Sequence, residues 1–169
     1  MVKNKIILSA VLFLLCIAAA ALLQVQGVSL SIGKVSARIG EESVTVPLTL
    51  ARGAGKMVSV VGGEINFDAQ RLGINDAQRD ISIGPSAQAA GKEITAAQPS
   101  AGKIRFVIYG GREVIGDGIV ANIKFTIKDK GRAGKTALVI KKAEAASAKA
   151  KNVILRPANG EIKIMQPLK

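Results

Sequence analysis

Apolar and polar residues alternate along most of the chain that follows residue 27. The clearest runs are VTVPLTL at residues 44–50, KIRFVIY at 103–109, GIVANIKFTI at 118–127 and EIKI at 161–164. Successive side chains of a β-strand point to opposite sides of the sheet, so this period of two is typical of strands with one buried and one solvated face. The pattern predicts short strands and almost no helix.

Glycine-rich turn signals separate these runs, at residues 40–41, 53–55, 62–63, 110–111, 116–118, 131–134 and 159–160. Short strands joined by frequent turns are typical of a β-sandwich, and the sequence contains no boundary or linker within residues 28–169. We therefore predict an all-β fold, a single antiparallel sandwich domain over residues 28–169. Two alanine-rich stretches, at residues 86–90 and 143–150, are too short for stable helices and are predicted to be loops or single turns.

The first 27 residues have a different character. Lys3 and Lys5 precede an uncharged, apolar run of 18 residues at 6–23, and small residues follow it up to Gly27. This order is typical of a signal peptide, but the run is also long enough to span a bilayer as an N-terminal membrane anchor. Both interpretations predict that residues 28–169 are exported, to the periplasm, the cell surface or the medium. They also predict that any membrane association uses the N-terminal segment alone.

Residues 28–169 contain no cysteine and no histidine, because the chain has no His and its one cysteine is Cys16. The domain therefore has no disulfide, no thiol nucleophile, no imidazole base and no Cys/His metal site. We expect a protein without catalytic residues, metal or cofactor.

Two glycine motifs resemble phosphate-binding loops but lack the required context. In GRAGKT, at residues 131–136, the position that should hold the first glycine of such a loop is Asp129, an acid that would repel phosphate. GDGIVA, at 116–121, is followed by an alternating strand pattern, whereas dinucleotide binding needs the N-terminus of a helix. Both motifs are predicted to be turns.

Charge is concentrated towards the C-terminus, where residues 124–169 hold 12 basic and 3 acidic side chains, a net charge of +9. Such a segment favours an acidic partner, or it serves as a solvated edge that resists aggregation. Sugar and base stacking are poorly supported, because Phe106 and Phe125 lie on apolar strand faces and are predicted core residues. Only Tyr109 remains as an outward aromatic side chain. The sequence thus does not favour nucleic acid as a partner.

With the strands laid out, the order of landmarks resembles that of cohesin domains. GKVSARIGEESVTVPLTL is similar to their opening strand, Gly-acid turn and valine-rich second strand. FDAQRL, at residues 67–72, resembles their Tyr-Asp-Pro-x-x-Leu strand end, with Phe67 for Tyr and Ala69 for Pro. GIVANIKF at 118–125 and NGEIKI at 159–164 resemble two later strands, and Ala133-Gly134 replaces a Pro-Gly turn. The resemblance extends over about residues 28–165.

This resemblance implies a jelly-roll-like sandwich of about nine strands, in which Asp68 shapes the turn after the third strand. It also implies a non-catalytic module that captures a dockerin-like or acidic-faced protein on the outer face of one sheet. That sheet would contain residues 64–67, 93–96, 104–109 and 138–141. Its outward, partner-binding positions would be Glu64, Asn66, Thr95, Arg105, Val107, Tyr109, Val139 and Lys141. Polysaccharide binding and a structural role in a cell-envelope assembly remain as alternative functions.

Overall fold

The computed structural model describes residues 27–128 and 132–166, which form thirteen strands and two short helices. In chain order the elements are β1 (Val28–Ile32), β2 (Lys34–Arg38), β3 (Ser43–Ala51), β4 (Val60–Phe67), β5 (Leu72–Gly73), α1 (Ala77–Asp80), β6 (Ile81–Ile83), α2 (Pro85–Ala89), β7 (Glu93–Ser100), β8 (Lys103–Tyr109), β9 (Gly118–Ile127), β10 (Gly134–Ala146), β11 (Asn152–Val153), β12 (Leu155–Ala158) and β13 (Gly160–Met165). Nine of these strands have five or more residues, in agreement with the predicted number. In the described ranges, no helix is long and apolar enough to cross a membrane.

The strands form two sheets packed face to face. One sheet has the order β12-β1-β3-β9-β5, with β6 also paired to β9. The other has the order β2-β13-β10-β4-β8-β7, with β11 paired to β10. The predicted β-sandwich is confirmed. The predicted candidate strands β4, β7, β8 and β10 are adjacent in the seven-stranded sheet.

The core lies between the two sheets and is built from the apolar positions of the alternation. In β8, Ile104, Phe106 and Ile108 are buried while the residues between them face outward. Phe125 on β9 is fully buried and packs edge-to-face against Phe67 on β4, with ring centroids 5.2 Å apart. Phe106 and Phe125 are core residues, as the alternation predicts.

Asp68 shapes the turn at the end of β4. Its Oδ1 accepts a hydrogen bond from the Gln70 backbone N–H at 2.9 Å, and its backbone carbonyl accepts from the N–H groups of Arg71 and Leu72. Leu72 returns to the core with no exposed surface. An aspartate that binds the amide two residues on is a common way to fix a turn, and this is the structural role expected from the sequence.

Two features differ from the sequence expectation. The β1–β12 and β2–β13 pairs are parallel, so the sandwich is not wholly antiparallel. Residues 143–146, predicted to be a loop or single turn, belong to β10, and only the following residues turn. A register shift between Lys141 and Glu144, with Lys142 at a φ of 49°, keeps this end of β10 paired with β4. This bulge interrupts the alternation from which a strand is recognised in a sequence.

Candidate protein-docking face

The outer faces of β4, β7, β8 and the adjoining part of β10 form one continuous surface, here called the docking face. Cross-strand register places Glu64 opposite both Arg105 and Lys141, and it places Thr95 opposite Val107. Asn66 pairs with Val139 in the same way, and Tyr109 ends β8 on the outward side. The structure therefore brings all eight predicted partner-binding positions together on one side of the seven-stranded sheet.

An ion-pair cluster occupies the centre of this face. Glu64 Oε2 accepts a hydrogen bond from Arg105 Nε at 3.1 Å, and Glu64 Oε1 lies 3.3 Å from Lys103 Nζ. The Arg105 hydrogen bond, reinforced by Lys103, holds the pKa of the Glu64 carboxyl below its usual range. The Glu64 side chain is only 5% exposed, whereas Arg105 is 58% exposed. Glu64 thus orients Arg105 and is itself covered, so Arg105 presents the accessible charge.

An apolar area lies beside this cluster. Val107 and Tyr109, two residues apart on the outward side of β8, are 45% and 39% exposed. The Tyr109 hydroxyl lies 3.3 Å from Thr95 Oγ1, within hydrogen-bond distance. Gly62 lies opposite Val107 and adds no side chain, so a shallow groove of about 150 Å³ opens between β8 and β10. Its lining includes Val60, Gly62, Val107, Glu144 and Ala146.

Lys92 is a residue of this region that the sequence analysis missed. It immediately precedes β7 and is 6% exposed, and its Nζ donates to the backbone carbonyls of Gly110 and Gly111 at 2.6 and 3.3 Å. Burial lowers the pKa of this ammonium group. Lys92 therefore fixes the loop that follows Tyr109. The sequence gives no sign that Lys92 is buried. The two carbonyl groups that accept its hydrogen bonds are 18 and 19 residues away along the chain.

The basic side chains of the C-terminal third do not form one surface. Lys135 and Lys163 pair across β10 and β13 on the outer side of the seven-stranded sheet. Lys124 instead lies on β9 in the other sheet, and Lys149 and Lys151 lie in the loop after β10. The positive charge of residues 124–169 is therefore divided between the two sheets and a loop. Residues 129–131 and 167–169 lie outside the described residues.

No binding site for a metal is evident in the described part of the chain, where no group of three or more Asp or Glu side chains converges. Asn66 Oδ1 is buried and has no hydrogen-bond partner among the residues described.

The docking face as a whole is a surface of paired strands with one accessible guanidinium, one aromatic ring and a shallow apolar groove. Such a surface is suited to association with another macromolecule.

Comparison with known proteins agrees with this architecture. The family model for the cohesin domain matches residues 28–164. The sixth cohesin of scaffoldin B from Acetivibrio cellulolyticus, solved in complex with a Cel5 dockerin mutant, aligns with a TM-score of 0.71 at 22% identity. That alignment covers 82% of this chain and 99% of that chain.

Two further solved structures share the fold. A non-cellulosomal cohesin from the archaeon Archaeoglobus fulgidus has a TM-score of 0.67 at 16% identity and covers 82% of this chain and 91% of its own. The solution structure of CaCohA2 from Clostridium acetobutylicum gives 0.67 at 23% identity, over 83% and 92% of the two chains. No curated protein sequence matches the chain. Since the family model spans most of the chain, the protein belongs to the cohesin domain family.

Proposed function

We propose that this chain is an exported, non-catalytic module that captures a dockerin-like protein on the docking face. The observation that supports this most strongly is the exposed Val107–Tyr109 pair beside Arg105, held on rigid paired strands. Tyr and Arg are the residue types that most often dominate the energy of protein interfaces. A related cohesin was solved in complex with a dockerin, which favours a protein partner of that kind.

The docking face is already organised for binding. Arg105 is restrained by the hydrogen bond to Glu64, and the Tyr109 ring is restrained by Thr95. A side chain that is ordered before association loses less conformational entropy when the partner arrives. The hydrogen bonds from Lys92 Nζ restrain the loop at residues 110–111 in the same way, before any partner binds. We infer that most of the binding energy comes from Val107 and Tyr109, and that Arg105 and Lys141 mainly raise the association rate.

Carbohydrate binding, the alternative function, receives less support. Sugar-binding sandwiches use exposed aromatic rings as stacking platforms, and Phe67, Phe106 and Phe125 are all buried here. In residues 27–128 and 132–166, Tyr109 is the only exposed aromatic ring. One ring offers little platform area, so we retain the protein partner as the proposal.

The test is capture of exported proteins from the source organism on immobilised residues 27–169, with neutral glycans and duplex DNA assayed in parallel across a salt series. We expect retention of proteins that contain dockerin-like modules, and weaker retention at high salt because Arg105 and Lys141 become screened. Tyr109→Ala and Arg105→Ala should each reduce that retention. Tight glycan binding, a steep DNA-type salt dependence, or protein capture unchanged by both substitutions would contradict the proposal.

A further inference from the structure

One end of the sandwich gathers three loops around the start of the domain. Ser29 on β1 pairs with Ala51 at the end of β3, and Ala146 at the end of β10 pairs with Val60 at the start of β4. The loops at residues 52–57 and 110–117 and the segment at residues 147–154, which contains β11, therefore emerge together near Gly27. We call the surface made by Gly27, these loops and Arg156 the tether end. The loops support one another, since Ile115 N–H donates to Val58 and Ser59 N–H donates to Ala146.

The tether end carries the two most exposed large apolar side chains in the described part of the chain. Ile154 is 85% exposed and Met57 is 64% exposed, both more than Val107 and Tyr109 on the docking face. They project from separate loops and do not form one continuous patch. The opposite end differs, because its turns at residues 39–42 and 68–71 expose no large apolar side chain.

The segments that carry these two apolar side chains are rich in cations: Arg52 and Lys56 line a shallow pocket with Met57, whereas the charged residue that lines a pocket with Ile154 is Glu144 on β10. The tether end holds Arg52, Lys56, Arg112, Lys149, Lys151 and Arg156 against only Glu113 and Asp117. Asp117 is neutralised by Arg52, whose Nε lies 3.1 Å from Asp117 Oδ1, and the hydrogen bond from the Arg52 N–H lowers the pKa of that carboxyl. Among the described residues, the other cations form no ion pair at the tether end.

The sequence places an apolar segment directly before this end. The uncharged run at residues 6–23 stops four residues before Gly27. Four residues span at most about 14 Å in any conformation. The N-terminal apolar segment of an exported or anchored protein enters a bilayer. When the run at residues 6–23 does so, Gly27 lies within reach of the lipid headgroups.

We propose that the tether end is a membrane-contacting surface that lies on anionic phospholipid headgroups. Met57 and Ile154 enter the interfacial layer, and Lys56, Lys149 and Lys151 face the lipid phosphates. Isolated apolar side chains on cation-rich segments suit a lipid interface, which accepts single side chains and attracts positive charge. A protein interface would favour a contiguous apolar patch. This orientation leaves the docking face open to solvent, because its strands run away from the membrane.

The test uses residues 27–169, which lack the apolar run and so report on the tether end alone. We expect this part to fold by itself, because the described hydrophobic core and the family match both lie within residues 28–164. Binding is measured by co-sedimentation with vesicles of phosphatidylcholine alone and of phosphatidylcholine containing about a third phosphatidylglycerol. We expect binding to the anionic vesicles only, weakened by salt.

Matched variants locate the contact. Replacing Lys56, Lys149 and Lys151 together by Gln should reduce vesicle binding by at least about tenfold, because each cation near an anionic membrane contributes to binding. Replacing Lys34, Lys135 and Lys163, three exposed lysines on strands of the seven-stranded sheet, should reduce it far less. The pair Met57→Ser and Ile154→Ser should also weaken vesicle binding, whereas Val107→Ser on the docking face should not.

Three results would overturn the proposal: no binding to anionic vesicles at low salt, equal losses from the two triple-lysine variants, or no effect of the Met57 and Ile154 substitutions. Circular dichroism of each variant ensures that a loss of binding is not a loss of folding. Loss of protein-partner capture by the Met57 and Ile154 variants, with vesicle binding intact, would assign this end to the partner and also count against the membrane contact.

Discussion

The two sheets of the sandwich present outer faces of different chemistry. The outward positions of β1, β3 and β9 include one charged residue, Lys124, and are otherwise mostly small and uncharged, as at Ser29, Ser31, Thr45, Thr49, Asn122 and Thr126. The outward positions of β8 are Arg105, Val107 and Tyr109, beside an ion-pair cluster and a shallow groove. Alternation marks both as solvated faces. The side-chain types differ: the outer face of the six-stranded sheet carries mainly small polar groups, whereas the outer face of the seven-stranded sheet carries the side chains that we propose bind a partner.

Both outer faces are supported by the same hydrophobic core. The largest expected effect on the free energy of unfolding therefore comes from truncating a core side chain. Phe125 belongs to the six-stranded sheet and Phe106 to the seven-stranded sheet, and both are buried between them. Truncating either residue to Ala should lower the free energy of unfolding by roughly 3–5 kcal/mol. Urea denaturation of residues 27–169 measures this. A variant that kept full stability but lost partner binding would show that its ring is a ligand platform.

The two outer faces can be compared directly by truncating one outward side chain on each. Tyr109→Ala on the docking face should weaken partner binding by about 2 kcal/mol, roughly 30-fold, which is the loss typical of an interface hot spot. Thr49→Ala on the opposite face should leave affinity unchanged. Isothermal titration calorimetry with the captured partner measures both, and equal affinities for the two variants would remove Tyr109 from the interface.

The sequence was sufficient to place the outward side chains of β4 and β8, because a strand has a strict period of two. Alternation alone places Asn66, Arg105 and Tyr109 on the outward side, and the structure has them there. Features that depend on distant partners could not be predicted. The burial of Glu64 requires both Lys103 and Arg105, which belong to another strand. The parallel β1–β12 and β2–β13 pairs join opposite ends of the chain, which no local pattern records.

Substituting Lys92 tests whether this residue fixes the loop that follows Tyr109, at the edge of the docking face. Lys92→Met removes a charged donor from the carbonyls of Gly110 and Gly111 but also removes the cost of burying an ammonium group. We expect a net loss of about 1–2 kcal/mol in unfolding free energy. Amide exchange should accelerate at residues 110–113, beside Tyr109. Lys141→Met, an exposed position, is the control, and matching exchange in the two variants would show that Lys92 does not fix this loop.

A smaller effect is expected from pH. Because the pKa of Glu64 is lower in the folded protein than its ordinary value of 4.5, the Glu64 carboxylate stabilises the fold above that value. This contribution disappears as pH falls through the folded pKa. Glu64→Gln should therefore reduce stability near neutral pH and make the acid-induced decline shallower. Glu41→Gln, in the exposed turn before β3, should do neither. Parallel pH curves for wild type and Glu64→Gln would contradict this role.

The most direct test of the proposed function places the same charge on each of the two outer faces. Val107→Asp puts a carboxylate in the apolar part of the docking face, and Thr45→Asp puts one at an exposed position of the other sheet. With both variants folded, partner affinity should fall by at least about 30-fold for Val107→Asp, a hot-spot-sized loss, and stay at the wild-type value for Thr45→Asp. An unchanged affinity for Val107→Asp, or an equal loss for Thr45→Asp, would show that the docking face is not where this protein holds its partner.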